Sequence, residues 1–190
     1  MRFWWVNHKQ TARQEIEGRY LWSPKSEANG VRSQFYDNMR VAAPGDFVLS
    51  YANGLVGHAG LVANYPLTAP KPESFGSVGS YWSDEGWLLP MRWLPLPLPI
   101  PPKTILKQIA PLLPEKYSPL RAETGDGNQK AYFSEIDSRL FTLVAGLGGV
   151  TDDVLKATAS EEVDFITQIN SVAQSVIEQD IDRPPSSGPA

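Results

Sequence analysis

The apolar positions of this chain follow a short period over its first two thirds and a helical one after that. Phe3-Trp4-Trp5-Val6-Asn7 is an aromatic and β-branched run that predicts a buried strand. A polar stretch containing Gly18 follows. Residues 19–24 then predict a second extended piece, in which Pro24 lacks a backbone donor and holds Ser23 extended, so Trp22 falls at a strand-to-loop edge. Residues 33–41 predict a short helix stopped by Pro44-Gly45-Asp46. Residues 47–51, the turn Ala52-Asn53-Gly54 and residues 55–63 predict a β-hairpin.

Residues 65–80 are rich in Pro, Ser and Gly without periodicity and predict a surface loop leading to Tyr81-Trp82-Ser83-Asp84-Glu85. Residues 86–94 are apolar enough for a strand. Pro95, Pro97, Pro99, Pro101 and Pro102 then alternate with Leu and Ile, which predicts an extended strut packed on its own domain rather than a central strand. Residues 103–110 predict a short helix ended by Pro111, and residues 120–130 a polar loop. From Ser134 the period turns helical, with Ile136, Leu140, Leu143, Val144 and Leu147 on one stripe. A second stripe runs through Val163, Ile166, Ile169, Ala173, Val176 and Ile177, and residues 183–190 have linker composition.

Composition narrows the function classes. Net charge is −4, but residues 1–130 hold 14 Lys+Arg against 11 Asp+Glu, whereas residues 131–190 hold 3 against 10. The acidity therefore lies in the tail, and the mildly basic body tolerates a phosphate backbone without forming a polybasic footprint. With no cysteine and two histidines, thiolate zinc sites and cysteine nucleophiles are excluded, and no metal or cofactor is expected. There is no G-x-S-x-G, phosphate-binding loop, dinucleotide fingerprint or H-E-x-x-H. Asp84 and Glu85 are neighbours on an extended segment, so their side chains point apart and form no acid–base dyad. No apolar stretch approaches the ~18 residues a membrane span needs, and no signal peptide opens the chain, which points to a cytoplasmic protein.

The distinctive residues are aromatic: six Trp, seven Tyr and seven Phe. Trp4, Trp5, Trp87 and Trp93 sit in apolar runs and are expected in the core. Trp22-Ser23-Pro24 and Trp82-Ser83-Asp84 each set a flat ring beside small polar groups, which suits a pocket that stacks a planar base and hydrogen-bonds its edge.

Phe3-Trp4-Trp5-Val6-Asn7, Gly18-Arg19-Tyr20-Leu21-Trp22-Ser23-Pro24 and Ala43-Pro44-Gly45-Asp46, in this order, resemble the EVE family of the PUA superfamily, relatives of the YTH readers. Gly86-Trp87-Leu88-Leu89-Pro90 and Gly127-Asn128-Gln129-Lys130-Ala131-Tyr132 extend the resemblance to roughly residues 1–145. It is similar to the domains found at the N-terminus of bacterial modification-dependent restriction endonucleases that carry an HNH nuclease. The resemblance implies an α+β fold, a small twisted β-barrel flanked by helices, with a flipped modified base held in an aromatic cage. It implies that Trp22 and Trp82 are the cage walls.

On this reading residues 1–133 form the reader, 134–180 a helical extension and 181–190 a linker-like tail. The expected ligand is modified double-stranded DNA. Ser23, Ser83, Asp84 and Asn7 would meet the base edge, while Lys25, Arg32, Asn128, Gln129 and Lys130 would meet the backbone or fill the gap. Nothing resembles an HNH nuclease, so the chain is expected to bind rather than cut. An RNA-binding module fits the same pocket, and a protein-interaction domain would instead dock a partner on Pro95–Pro102 or on the acidic helices. A cage that merely accepts a methyl gains about 0.8 kcal/mol, less than tenfold, so strong selection needs shape or a polar group satisfied by the modified base alone.

Overall fold

The computed structural model describes residues 1–161; the second apolar stripe and the tail at 183–190 lie outside the described residues. The chain divides into two compact units, Met1–Asp152 and Asp153–Ala190. In the second, residues 153–161 are helical.

The first unit is a twisted mixed sheet of seven strands flanked by short helices. The strands are β1 (Phe3–Asn7), β2 (Tyr20–Pro24), β3 (Phe47–Ala52), β4 (Leu55–Val62), β5 (Leu67–Pro70), β6 (Glu85–Ile100) and β7 (Phe133–Ile136). Their order is β2-β6-β4-β3-β1-β7, with β5 beside β6. β1 and β3 run parallel, and every other pair is antiparallel. The α-helices are α1 (Ala12–Gly18), α2 (Gln34–Asp37), α3 (Leu106–Ile109) and α4 (Ser138–Leu147).

The aromatic opening run builds the core as expected. Trp4 and Trp5 are fully buried, and Trp4 stacks on Phe133 with centroids 4.6 Å apart. Leu21, Met39, Val48, Val62, Leu89 and Met91 complete one cluster, against which Trp87 and Trp93 pack as partly buried side chains. The Pro44-Gly45-Asp46 turn is locked by Asp46, whose carboxylate accepts from the main chain of Arg2 and Ala43 and from the Trp4 indole. A sequence-local turn thereby anchors the first strand.

Three expectations need correction. The proline run does not leave the sheet, because β6 continues through it to Ile100. Its pairing with β4 lapses between Pro95 and Ile100, where prolines cannot donate, and Leu98 N–H instead bonds Gly148 O at 3.0 Å. Leu96 and Ile100 are buried on the domain, as a strut requires. Second, the helical stripe from Ser134 starts too early. Residues 133–136 are strand β7 against β1, and α4 begins after Asp137, whose carboxylate accepts from Arg139 N–H at 2.7 Å. β7 and α4 thus belong to the first unit, which runs past a boundary at 133 to Asp152. Third, β5 lies within the stretch expected to be loop throughout. The polar stretch around residues 12–18, which carries no periodic signal, is helix α1, whose one buried side chain is Glu15.

Candidate functional site

β2 and β7 stand at the two ends of the strand order, and among the described residues no ladder joins them. Side chains close this seam instead. Tyr132, the residue before β7, donates its hydroxyl to Glu15 Oε2 at 2.6 Å, and the N–H of Trp22 in β2 donates to the same oxygen at 3.4 Å. The Thr11 hydroxyl donates to Glu15 Oε1, and His8 Nδ1 lies 3.5 Å from Oε2. Burial, and then the adjacent Glu15 carboxylate, push the Tyr132 phenol well above its usual value.

A cavity of about 410 Å³ opens over this seam. That is within the size range of small-ligand sites. Its aromatic lining is Trp22, Trp82, Tyr36, Tyr81 and Tyr132, with Ser23 and Thr11 as small polar members and Lys9 and Lys130 as its cations. Trp22 is buried in β2, its indole N–H satisfied by Ala69 O at 3.2 Å, and Phe75 packs edge-on against both Trp22 and Trp82. Each tryptophan lies against a glycine. A Cβ on Gly86 would come within 2.3 Å of the Trp22 ring, and one on Gly79 within 1.9 Å of the Trp82 ring. These two glycines let the rings lie flat on the backbone.

The pair does not form an open sandwich. The Trp22 and Trp82 centroids are 6.2 Å apart at 35°, so the rings touch each other. A base between them needs two contacts of roughly 3.5 Å, about 7 Å in all. Trp82 is the half-buried member and is carried on a loop, whereas Trp22 is fixed in the sheet.

Of the residues expected at the site, the structure gathers Trp22, Ser23, Trp82 and Lys130 around the cavity. Ser23 Oγ donates to Pro24 O at 3.0 Å, which leaves its lone pairs to accept from a ligand. Ser83 and Asp84 follow Trp82 but are exposed outside the lining. Asn7 is spent on the fold, its amide accepting from the Trp5 indole and donating to Pro119 O. Lys25 bonds Thr68 and Glu85 and lies over Trp87, and Arg32 pairs with Asp37. Asn128 bonds Ser118 O, while Asn128 and Gln129 line a neighbouring groove with Tyr51 and Lys9.

His8, Lys9, Thr11, Tyr36, Tyr81 and Tyr132 are among the lining residues that sequence reasoning missed. One signal was available, since Tyr132 ends the Gly127–Tyr132 motif. Lys9 holds a left-handed backbone, φ 55°, and its ammonium donates to Gln129 O, tying the first turn to the loop that ends in Lys130. Partial burial lowers the Lys9 ammonium below the usual lysine value. Among the described residues no group of three or more His, Asp or Glu is placed to hold a metal ion, and no helix is long and apolar enough to cross a membrane.

No family model matches the chain, and no curated protein matches it. Solved structures do. Rpa0253 from Rhodopseudomonas palustris superposes with a TM-score of 0.50 at 13% identity, over 78% of this chain and 94% of its own. A hypothetical protein from Leishmania major gives 0.50 at 10% identity, over 78% and 95%. Human THYN1, solved with DNA containing 5-methylcytosine, gives 0.48 at 11% identity, over 78% and 98%. At these identities the likeness to the first two speaks for the fold alone, an α+β twisted barrel flanked by helices, which is what the EVE resemblance implies.

Proposed function

We propose that the chain is a reader of modified bases in nucleic acid, acting by binding rather than catalysis. The observation that carries this reading is the cavity at the seam, with five aromatic side chains, a free-accepting serine hydroxyl and two lysines. A flipped, modified base packs on this aromatic lining, with Trp82 swinging from Trp22 to cover its second face. Stacking worth ~1–3 kcal/mol per base offsets the few kcal/mol that flipping costs. Lys9 and Lys130 take the flanking phosphates.

Duplex DNA is the proposed ligand class, and the proposed setting is the cytoplasm, as the specificity module of a modification-dependent restriction system. Cleavage then belongs to a nuclease, such as an HNH domain, outside these 190 residues. Binding is measured to duplexes carrying 5-methylcytosine, 5-hydroxymethylcytosine, N4-methylcytosine or N6-methyladenine, to the unmodified duplex and to single-stranded RNA, at two salt concentrations. Preference for one modified duplex is expected. Equal binding to modified and unmodified DNA sinks the reading, and tighter binding to RNA moves the ligand class.

A further inference from the structure

Glu15 is completely buried, yet it does not line the cavity. Each group around it does: His8 at the end of β1, Thr11 before α1, Trp22 in β2 and Tyr132 before β7. A buried carboxylate is costly unless donors surround it, and packing alone is served better by an apolar residue. Here one carboxylate collects two hydroxyls and a main-chain N–H from three segments, two of which border the unladdered seam. Glu15 is also the one buried side chain of α1, so the docking of this helix and the spacing of the seam depend on the same group.

We propose that Glu15 is a positioning residue for the base-reading cavity. It sets the separation of β2 from the start of β7 and fixes the positions of Trp22 and Tyr132, two of the cavity walls on which a base would pack. This rests on the reading of the cavity as a base site. A Glu15→Gln side chain keeps an oxygen for Tyr132 and Trp22, and its amide can donate to the Thr11 hydroxyl, whose proton then turns to His8 O, 2.8 Å away. Glu15→Ala leaves the Tyr132 hydroxyl and the Trp22 N–H without the acceptor they share.

The test uses the full chain labelled with 5-fluorotryptophan, with lines assigned by single Trp→Phe replacements. Parent, Glu15→Gln, Glu15→Ala and Tyr132→Phe are compared by circular dichroism, fluorine NMR and binding to the four modified duplexes and the unmodified one. In Glu15→Ala the Trp22 and Trp82 lines should shift or broaden while that of Trp4, held by Asp46, stays. Affinity for the best-bound modified duplex should fall about tenfold or more, and its margin over unmodified DNA should shrink. Glu15→Gln should recover most of this, and Tyr132→Phe should fall between.

A folded Glu15→Ala with the parent's Trp22 and Trp82 lines and affinity margin overturns the proposal. So does one in which all six tryptophan lines move alike, the mark of a general structural role. If Glu15→Ala does not fold, Tyr132→Phe decides by the same lines. Should the parent prefer none of the modified duplexes, the base-reading assignment fails, and the fluorine lines still report whether Glu15 orders the cavity.

Discussion

The two loop-edge tryptophans look equivalent in sequence, each followed by a serine, but burial separates them. Trp22 is 2% exposed and Trp82 is half-buried. Trp22→Ala is expected to cost ~3–5 kcal/mol of folding stability, a core outcome, and Trp82→Ala markedly less. Binding of modified DNA by Trp82→Ala should still weaken by about 1–3 kcal/mol. Thermal melts and binding isotherms check both, and unchanged binding by a folded Trp82→Ala would remove Trp82 from the site. Gly86→Ala drives a methyl into the Trp22 ring and the Ser23 carbonyl, at an expected cost of ~1–3 kcal/mol in stability. Tyr132 adds a pH dependence. Its folded pKa lies well above the unfolded value, so its contribution is complete below about pH 10 and is lost as pH rises through the folded pKa. Melting temperature should therefore fall in alkali, and Tyr132→Phe should flatten part of that fall. Trp22, Ser23 and Trp82 were legible because a ring beside small polar groups is a local signal. Glu15 was not, since its partner Tyr132 lies 117 positions away and nothing near residue 15 announces it.

Among the elements, those with a local stop signal matched expectation, and those made by tertiary pairing did not. Asn53-Gly54 turns β3 into β4, and Pro44-Gly45-Asp46 ends the helical stretch before β3. By contrast β5 is four residues carrying a terminal proline, held against β6 from Leu67↔Leu88 to Pro70↔Glu85, and it has no periodicity of its own. Residues 134–136 of β7 predict helix because Ile136 falls on the stripe of α4, yet their neighbour in space is β1. Asp137 marks the true start. The Arg139 guanidinium and N–H hold its carboxyl at about 2, so the contribution of the cap is present above the ordinary aspartate value and is lost as pH falls through that folded value. Asp137→Ala should lower the melting temperature at neutral pH, and Asp137→Asn, which keeps the acceptor, should restore most of it. An equal loss in both would assign the effect to the charge rather than the cap.

For the whole molecule, charge is divided along the chain as the sequence indicated. Residues 153–190 carry seven Asp+Glu and two Lys+Arg. Ending the chain after Asp152, where the first unit closes, should leave affinity for modified DNA equal or higher at low salt, with the difference vanishing as salt rises. Loss of affinity by a folded truncation would place the second unit in the site. The unladdered seam also bears on how such a pocket can diverge. Strands joined by main-chain hydrogen bonds are held at one repeat, about 4.8 Å, and a wider gap means losing a whole strand. A boundary bridged by a carboxylate and a phenol has no such quantum. Exchanging Glu15 for Asp or Thr11 for Ser, each one carbon shorter with its polar group kept, retunes the aperture in small steps and leaves every ladder intact, so one barrel can be refitted to bases of different size without being refolded.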